Sequence, residues 1–139
     1  MSDKPYSEMT DADWKAKGLS KEAIAVTRHA GTERPGTSPL YQHKESGVYH
    51  CVCCGTPLFK SAHKFESSCG WPAFYADSFD AMIEKVDMSH GMKRVEVLCK
   101  TCGAHLGHKF DDAMHHNKTV PVDTRYCING VSLEFQKAT

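Results

Sequence analysis

Two copies of one short pattern constrain this chain more than anything else in it. Cys51-Val52-Cys53-Cys54-Gly55-Thr56-Pro57-Leu58 and Cys99-Lys100-Thr101-Cys102-Gly103-Ala104-His105-Leu106 both read Cys-x-x-Cys-Gly-x-x-Leu. Two cysteines at that spacing can point both sulfurs at one tetrahedral ion, and the glycine behind them permits the tight turn this requires. Together the knuckles give a ligand set of Cys51, Cys54, Cys99 and Cys102. Four thiolates close a Zn²⁺ site: no position is left for water or substrate, so the metal is expected to hold the fold and do no chemistry. Iron takes the same donors, but zinc is the preferred assignment, over iron and over four reduced, buried thiols. Cys53 could replace Cys51 or Cys54 as a ligand. The match to the second knuckle's spacing favours Cys51 with Cys54 and leaves Cys53 out.

Composition narrows the class further. A chain of 139 residues is expected to form one domain, residues 1–139, with a modest core. Lys plus Arg is 17 and Asp plus Glu is 17, so there is no cationic excess to release counterions from nucleic acid, and no nucleic-acid partner is expected. The seven cysteines are about 5% of the chain, below the roughly 8–10% of a disulfide-built scaffold, and their number is odd. The start, Met1-Ser2-Asp3-Lys4-Pro5-Tyr6, has no apolar secretory core, and no run approaches the roughly 18 apolar residues of a bilayer span. A cytoplasmic location with no membrane association is therefore expected. Thiols stay reduced there, which favours metal binding or redox catalysis over bridging.

Residues 1–45 read as a helical and wrapping segment, and residues 46–135 as a β core. Thr10-Asp11-Ala12-Asp13 has capping-box spacing and opens a helix ending at Gly18; Ser20 caps a second that stops at Gly31, with Ala23, Val26 and Ala30 on its weakly apolar face. The Pro/Gly-rich stretch 32–39 is expected to wrap. Strand-length runs follow at 48–50, 57–59, 83–87, 95–98, 105–110, 125–128 and 132–135. Asn129-Gly130 between the last two predicts a hairpin, as does Ser89-His90-Gly91-Met92, and 111–124 reads as a loop. Short strands without helical spacers indicate a mainly β, antiparallel domain.

Three cysteines remain outside the knuckles. On a strand through Arg125-Tyr126-Cys127-Ile128-Asn129, alternation puts Arg125, Cys127 and Asn129 on one face. A guanidinium beside a thiol stabilises the nucleophilic thiolate. Cys69 lies in the sharp loop Ser67-Ser68-Cys69-Gly70-Trp71-Pro72. His105 and His108 would face opposite ways on a regular strand, and a bulge at Gly107 would bring them to one side.

These residues carry a resemblance to the type B methionine-R-sulfoxide reductases in their zinc-containing form. It runs from about Trp14 to Phe135 and rests on Thr32-Glu33-Arg34-Pro35, both knuckles, Cys69-Gly70-Trp71-Pro72, His105-Leu106-Gly107-His108 and Arg125-Tyr126-Cys127-Ile128-Asn129. The resemblance implies two antiparallel sheets forming an incomplete barrel, with structural zinc in the knuckles. It also implies Cys127 as catalytic nucleophile, Cys69 as resolving thiol, and Trp71 packed on the sulfoxide methyl. Reduction of peptide-bound methionine (R)-sulfoxide would pass through a Cys127 sulfenic acid and a Cys69–Cys127 disulfide, recycled by thioredoxin. For that chemistry His108 is the expected proton donor, oriented by His105 or Asp112, with Arg125 promoting the thiolate and Asn129 polarising the S–O bond. Trp71, Phe110 and Asp112 make up the expected substrate-binding set, and a monomer is expected. The sequence departs from the family pattern in two places. Gly36 stands where an aromatic is usual, and the 113–124 stretch is longer than its counterpart, with His115 and His116 read as solvated.

The main rival is a zinc-ribbon interaction module without catalysis, which leaves Cys69, Trp71, His108 and the Arg125-Cys127-Asn129 face without a purpose. A zinc hydrolase needs an open coordination position that four cysteines fill. A general thiol oxidoreductase would use a paired Cys-x-x-Cys in a βαβ setting, which this chain lacks.

Overall fold

The fold is that of a computed structural model, which describes residues 5–138. Thr10 and Asp13 form the capping box that starts α1 (Asp11–Ala16), with Asp13 N–H donating to the Thr10 hydroxyl and Thr10 N–H to the Asp13 carboxylate. This short helix buries Trp14 completely. Ser20 caps α2 (Lys21–His29) through the Ala23 N–H. The helix buries Ala23, Ile24, Val26 and Thr27 against the β core. Ala30 is not on that face: it is the exposed C-cap, left-handed at φ 54°.

Nine strands follow among the described residues: β1 (Gly47–Cys51), β2 (Pro57–Lys60), β3 (Lys64–Phe65), β4 (Ala73–Phe74), β5 (Met82–Asp87), β6 (Arg94–Cys99), β7 (His105–Phe110), β8 (Arg125–Ile128) and β9 (Leu133–Lys137). A short helix, α3 (Ala113–His116), stands where the sequence suggested only loop. The strands form two antiparallel sheets, ordered β2-β1-β9 and β3-β4-β8-β7-β6-β5, and neither closes. Tyr49, Leu58 and Phe59 from the first sheet share one core with Phe74, Val97, Leu106 and Ile128 from the second. The Phe59 and Phe74 rings stack across it at 4.0 Å. Among the described residues no helix is long and apolar enough to cross a membrane.

The turn at Ser89–Gly91 does join β5 to β6 as a hairpin. The hairpin expected at Asn129-Gly130 does not form. Both edges of β8 are taken, by β4 and β7, so β9 leaves for the other sheet and pairs with β1. Asn129 has φ −67° and ψ 124°, outside the left-handed region a hairpin turn of this kind needs. Its carboxamide instead accepts from the Glu33 N–H at 2.9 Å and donates to the Leu106 carbonyl at 3.1 Å. Gly130 is required for close approach, since a Cβ there would collide with the Ser38 side chain.

Candidate active site and metal centre

The two knuckles fold alike. Gly55 N–H donates to the Cys51 carbonyl and Gly103 N–H to the Cys99 carbonyl, both at 2.8 Å, with the glycines at φ +80° and +76°. All four ligand sulfurs lie within 4.8 Å of one another, with Cys51–Cys102 and Cys54–Cys99 each at 3.6 Å. A tetrahedral ion with metal–sulfur bonds of about 2.3 Å sets its sulfurs about 3.8 Å apart, so the arrangement fits a four-thiolate metal. Two cations stand beside it. Arg28 Nη2 donates to the Cys102 carbonyl at 3.0 Å, and Lys17 Nζ to the Cys53 carbonyl at 2.6 Å. They offset the negative charge that four thiolates leave around one divalent ion. Cys53 is buried in the core next to the knuckle, 1% exposed.

A pocket opens at the opposite end of β6. Arg94, the first residue of β6, lines it, whereas Cys99, the last, is a knuckle ligand. Five strand steps separate them, about 17 Å. The pocket is also lined by Cys69, Trp71, His108, Arg125, Cys127 and Asn129. Alternation along β8 aims Arg125, Cys127 and Asn129 at it, while Tyr126 and Ile128 enter the core. The two-residue strand β4 brings in Cys69: Ala73 pairs with Cys127, which hangs the Ser67–Pro72 loop over the nucleophile position. Both cysteines are reduced, and their sulfurs are 3.6 Å apart. Trp71 is held from behind, its indole N–H donating to the Glu33 carbonyl at 3.0 Å. The 32–39 segment thus wraps as expected, and it also fixes Asn129 and, through the Glu33 carboxylate, the Val131 N–H.

Gly107 lets β7 pass β8 closely, because a Cβ there would collide with the Cys127 carbonyl. The register of β7 against β6 slips between Val97 and Leu98, the expected bulge, and the His105 and His108 rings come within 5.6 Å. Their partners were not foreseen. His108 Nε2 meets Asp87 Oδ2 at 2.8 Å, and His105 Nδ1 meets Glu96 Oε2 at 2.6 Å. Hydrogen bonds from Ser89 and His108 hold the Asp87 carboxyl well below the usual range, so it is ionised and His108 Nε2 carries a hydrogen. His105 is buried outside the pocket, and burial pushes its imidazole toward the neutral form. Asp112 orients Arg125 rather than His108: Arg125 donates to both of its carboxylate oxygens, at 2.7 and 3.1 Å. Phe110 lines the pocket and also stacks under the Arg125 guanidinium at 4.4 Å.

The two sulfurs are electrostatically unequal. The Cys127 thiol and the Ser67 hydroxyl, which lies 2.9 Å from Cys69 Sγ, draw the Cys69 thiol down to about 5 against the effect of burial. Cys127 is pushed up by the neighbouring Cys69 sulfur and by burial, with Arg125 acting in the opposite direction. The Ser67 hydroxyl favours an anion on Cys69, and the Arg125 guanidinium favours one on Cys127. Asp87, Glu96 and Arg94 carry no local signal for this site, because each is remote from Cys69 and Cys127 along the chain; Ser67 and Glu33 lie in recognisable motifs, but their contacts are long-range or ordinary for a loop.

A cysteine pair facing a pocket, on an antiparallel framework with four cysteines placed to hold a metal ion, defines a thiol-based oxidoreductase domain. The SelR domain family matches residues 19–137. The chain is 49% identical over 137 residues to the peptide methionine sulfoxide reductase MsrB of Variovorax paradoxus, covering 94% of this chain and 96% of that one. It is 50% identical over 127 residues to the protein of the same name from Herminiimonas arsenicoxydans, covering 91% and 88%. This chain belongs to the SelR family of type B peptide methionine sulfoxide reductases.

Proposed function

We propose that this single domain reduces peptide-bound methionine (R)-sulfoxide to methionine, with Cys127 as nucleophile and Cys69 as resolving thiol. The observation that carries this reading is the 3.6 Å approach of the two sulfurs inside a pocket that also holds an imidazole and an indole. The attacking thiolate forms on Cys127 beside Arg125, with the second proton of the pair on Cys69. His108, fixed through Nε2 to Asp87, is the proton donor to the sulfoxide oxygen. Cys127 supplies two electrons: the substrate S–O bond breaks, a Cys127 S–O bond forms, and methionine leaves a sulfenic acid behind. Trp71 offers an apolar face to the S-methyl group. Asn129, already committed to Glu33 and Leu106, lines the pocket floor on the nucleophile's face. Cys69 then displaces water to form the disulfide, which an external dithiol, thioredoxin in this reading, returns to two thiols.

Cys51, Cys54, Cys99 and Cys102 would hold zinc, which would supply structural cross-linking when bound. The protein works in the cytoplasm as a monomer on oxidised proteins. A racemic methionine sulfoxide peptide incubated with the protein and dithiothreitol tests the assignment: loss of the R epimer alone is expected, and loss of neither or of both in equal measure contradicts it.

A further inference from the structure

The long connection between β7 and β8 is a packed structure in its own right. Asp123 closes its base, accepting from the Ala113 N–H with its carbonyl and from the Met114 N–H with its carboxylate, each at 2.9 Å. Ala113 and Val120 are buried with Phe65 and Ala73, and Cys69 packs on that cluster. Two consecutive residues then grip two consecutive carbonyls of the segment leading to Cys69. His116 Nδ1 donates to the Ser67 carbonyl at 2.7 Å, and Asn117 Nδ2 donates to the Glu66 carbonyl at 3.2 Å. A carbonyl only accepts, so His116 Nδ1 carries a hydrogen.

The gripped residue is the one that sets Cys69. The Ser67 hydroxyl lies 2.9 Å from Cys69 Sγ and accepts from the Cys69 N–H at 3.3 Å. Between the two, Ser68 is left-handed at φ 60°, a conformation that a non-glycine residue keeps only when its surroundings impose it. On its other side His116 Nε2 faces Asp112 Oδ2 at 3.5 Å, the carboxylate that holds Arg125.

We infer that His116 is a positioning residue for the second half of the reaction, tying the Cys69 loop to the Asp112–Arg125 pair so that Cys69 stays within reach of oxidised Cys127. This rests on the roles proposed above for the two cysteines. In that step Cys69 Sγ attacks Cys127 Sγ. The S–S bond forms, the S–O bond breaks, Cys69 is oxidised, and the hydroxide leaves with the Cys69 proton as water. The sulfurs must close from 3.6 Å to about 2.05 Å, a short movement that a drifting loop would rarely present in line. His116 does not line the pocket and touches neither sulfur, so its loss weighs on the second half, which needs the Cys69 loop in line, more than on the first.

Single-turnover experiments on the reduced full chain separate the two halves, reading methionine release for the first and dimedone-trapped sulfenic acid against disulfide for the second. In His116→Ala, methionine release stays within about twofold of wild type, whereas disulfide formation slows at least fivefold and trapped sulfenic acid accumulates. His116→Asn sets an amide N–H near the place of Nδ1 and restores the second rate in part, keeping the Ser67 grip without the Asp112 contact; His116→Gln, whose amide lies one carbon further out, does not. Wild-type disulfide rates in His116→Ala overturn the inference, as does equal slowing of both halves. Should the alanine variant fail to fold, the contrast between Asn and Gln decides alone, and equal rates in those two overturn it. A wild-type protein that releases no methionine defeats the parent reading, a result distinct from normal release with an unaltered disulfide rate.

Discussion

Cys69 and Cys127 stand 3.6 Å apart, yet among the described residues only Cys69 has a hydroxyl hydrogen-bonded to its sulfur, that of Ser67. A hydroxyl beside one of two coupled sulfurs favours the anion on that one. The reduced protein is expected to carry one thiolate, on Cys69, titrating near 5. Cys127→Ala removes the thiol that most lowers Cys69, so the Cys69 value rises. Cys69→Ala removes the sulfur that most raises Cys127, so the Cys127 value falls toward the balance of burial and Arg125. Iodoacetamide labelling against pH, with each cysteine resolved by peptide mass spectrometry, checks both directions. Preferential labelling of Cys127 in the mildly acidic wild type would count against this account.

Asp112 neutralises a guanidinium that is 7% exposed. Asp112→Asn leaves that charge without its partner. Because the Asp112 side chain is itself 40% exposed, the expected cost at neutral pH is about 1–2 kcal/mol rather than that of a fully buried pair. The Arg125 hydrogen bonds hold the Asp112 carboxyl below its ordinary value. Its contribution is therefore complete above the unfolded carboxylate pKa and is lost as pH falls through the lower folded one. Urea titrations should show the gap between wild type and Asp112→Asn closing below about pH 4. A gap that stays constant or widens in acid would show that the pairing is not its source.

How much of this site the sequence discloses depends on the range over which each residue acts. The knuckles are legible because ligand spacing and the following glycine are local requirements. The Arg125-Cys127-Asn129 face is legible because strand alternation is local too. Asn129-Gly130 misleads for the opposite reason: its turn chemistry is overridden by the pairing of β8 on both edges and by the close approach of Ser38. The strand that delivers Cys69, β4, has two residues and no periodicity to read. Asp87 and Glu96 reach the histidines only through the pairing of β5, β6 and β7, which lies beyond any single motif. His116 sits four residues after Asp112, the spacing of one helical turn, but its main partner, Ser67, is 49 positions away.

The knuckle ion is expected to be structural. Metal analysis should give one zinc per folded chain, and Cys54→Ala should lose it and melt roughly 10 °C or more below wild type. The pocket lies at the far end of β6 from Cys99, so chelation should cost activity only in step with unfolding. Full activity and unchanged melting in a metal-free protein would remove the knuckles from the account.

The central claim is the division of labour between Cys127 and Cys69, and counting methionine released per chain without an external reductant tests it most directly. Reduced Cys69→Ser should release one methionine per chain and stop, with the oxidation on Cys127, while Cys127→Ser should release none. Methionine from Cys127→Ser, or the oxidised product found on Cys69, would contradict it.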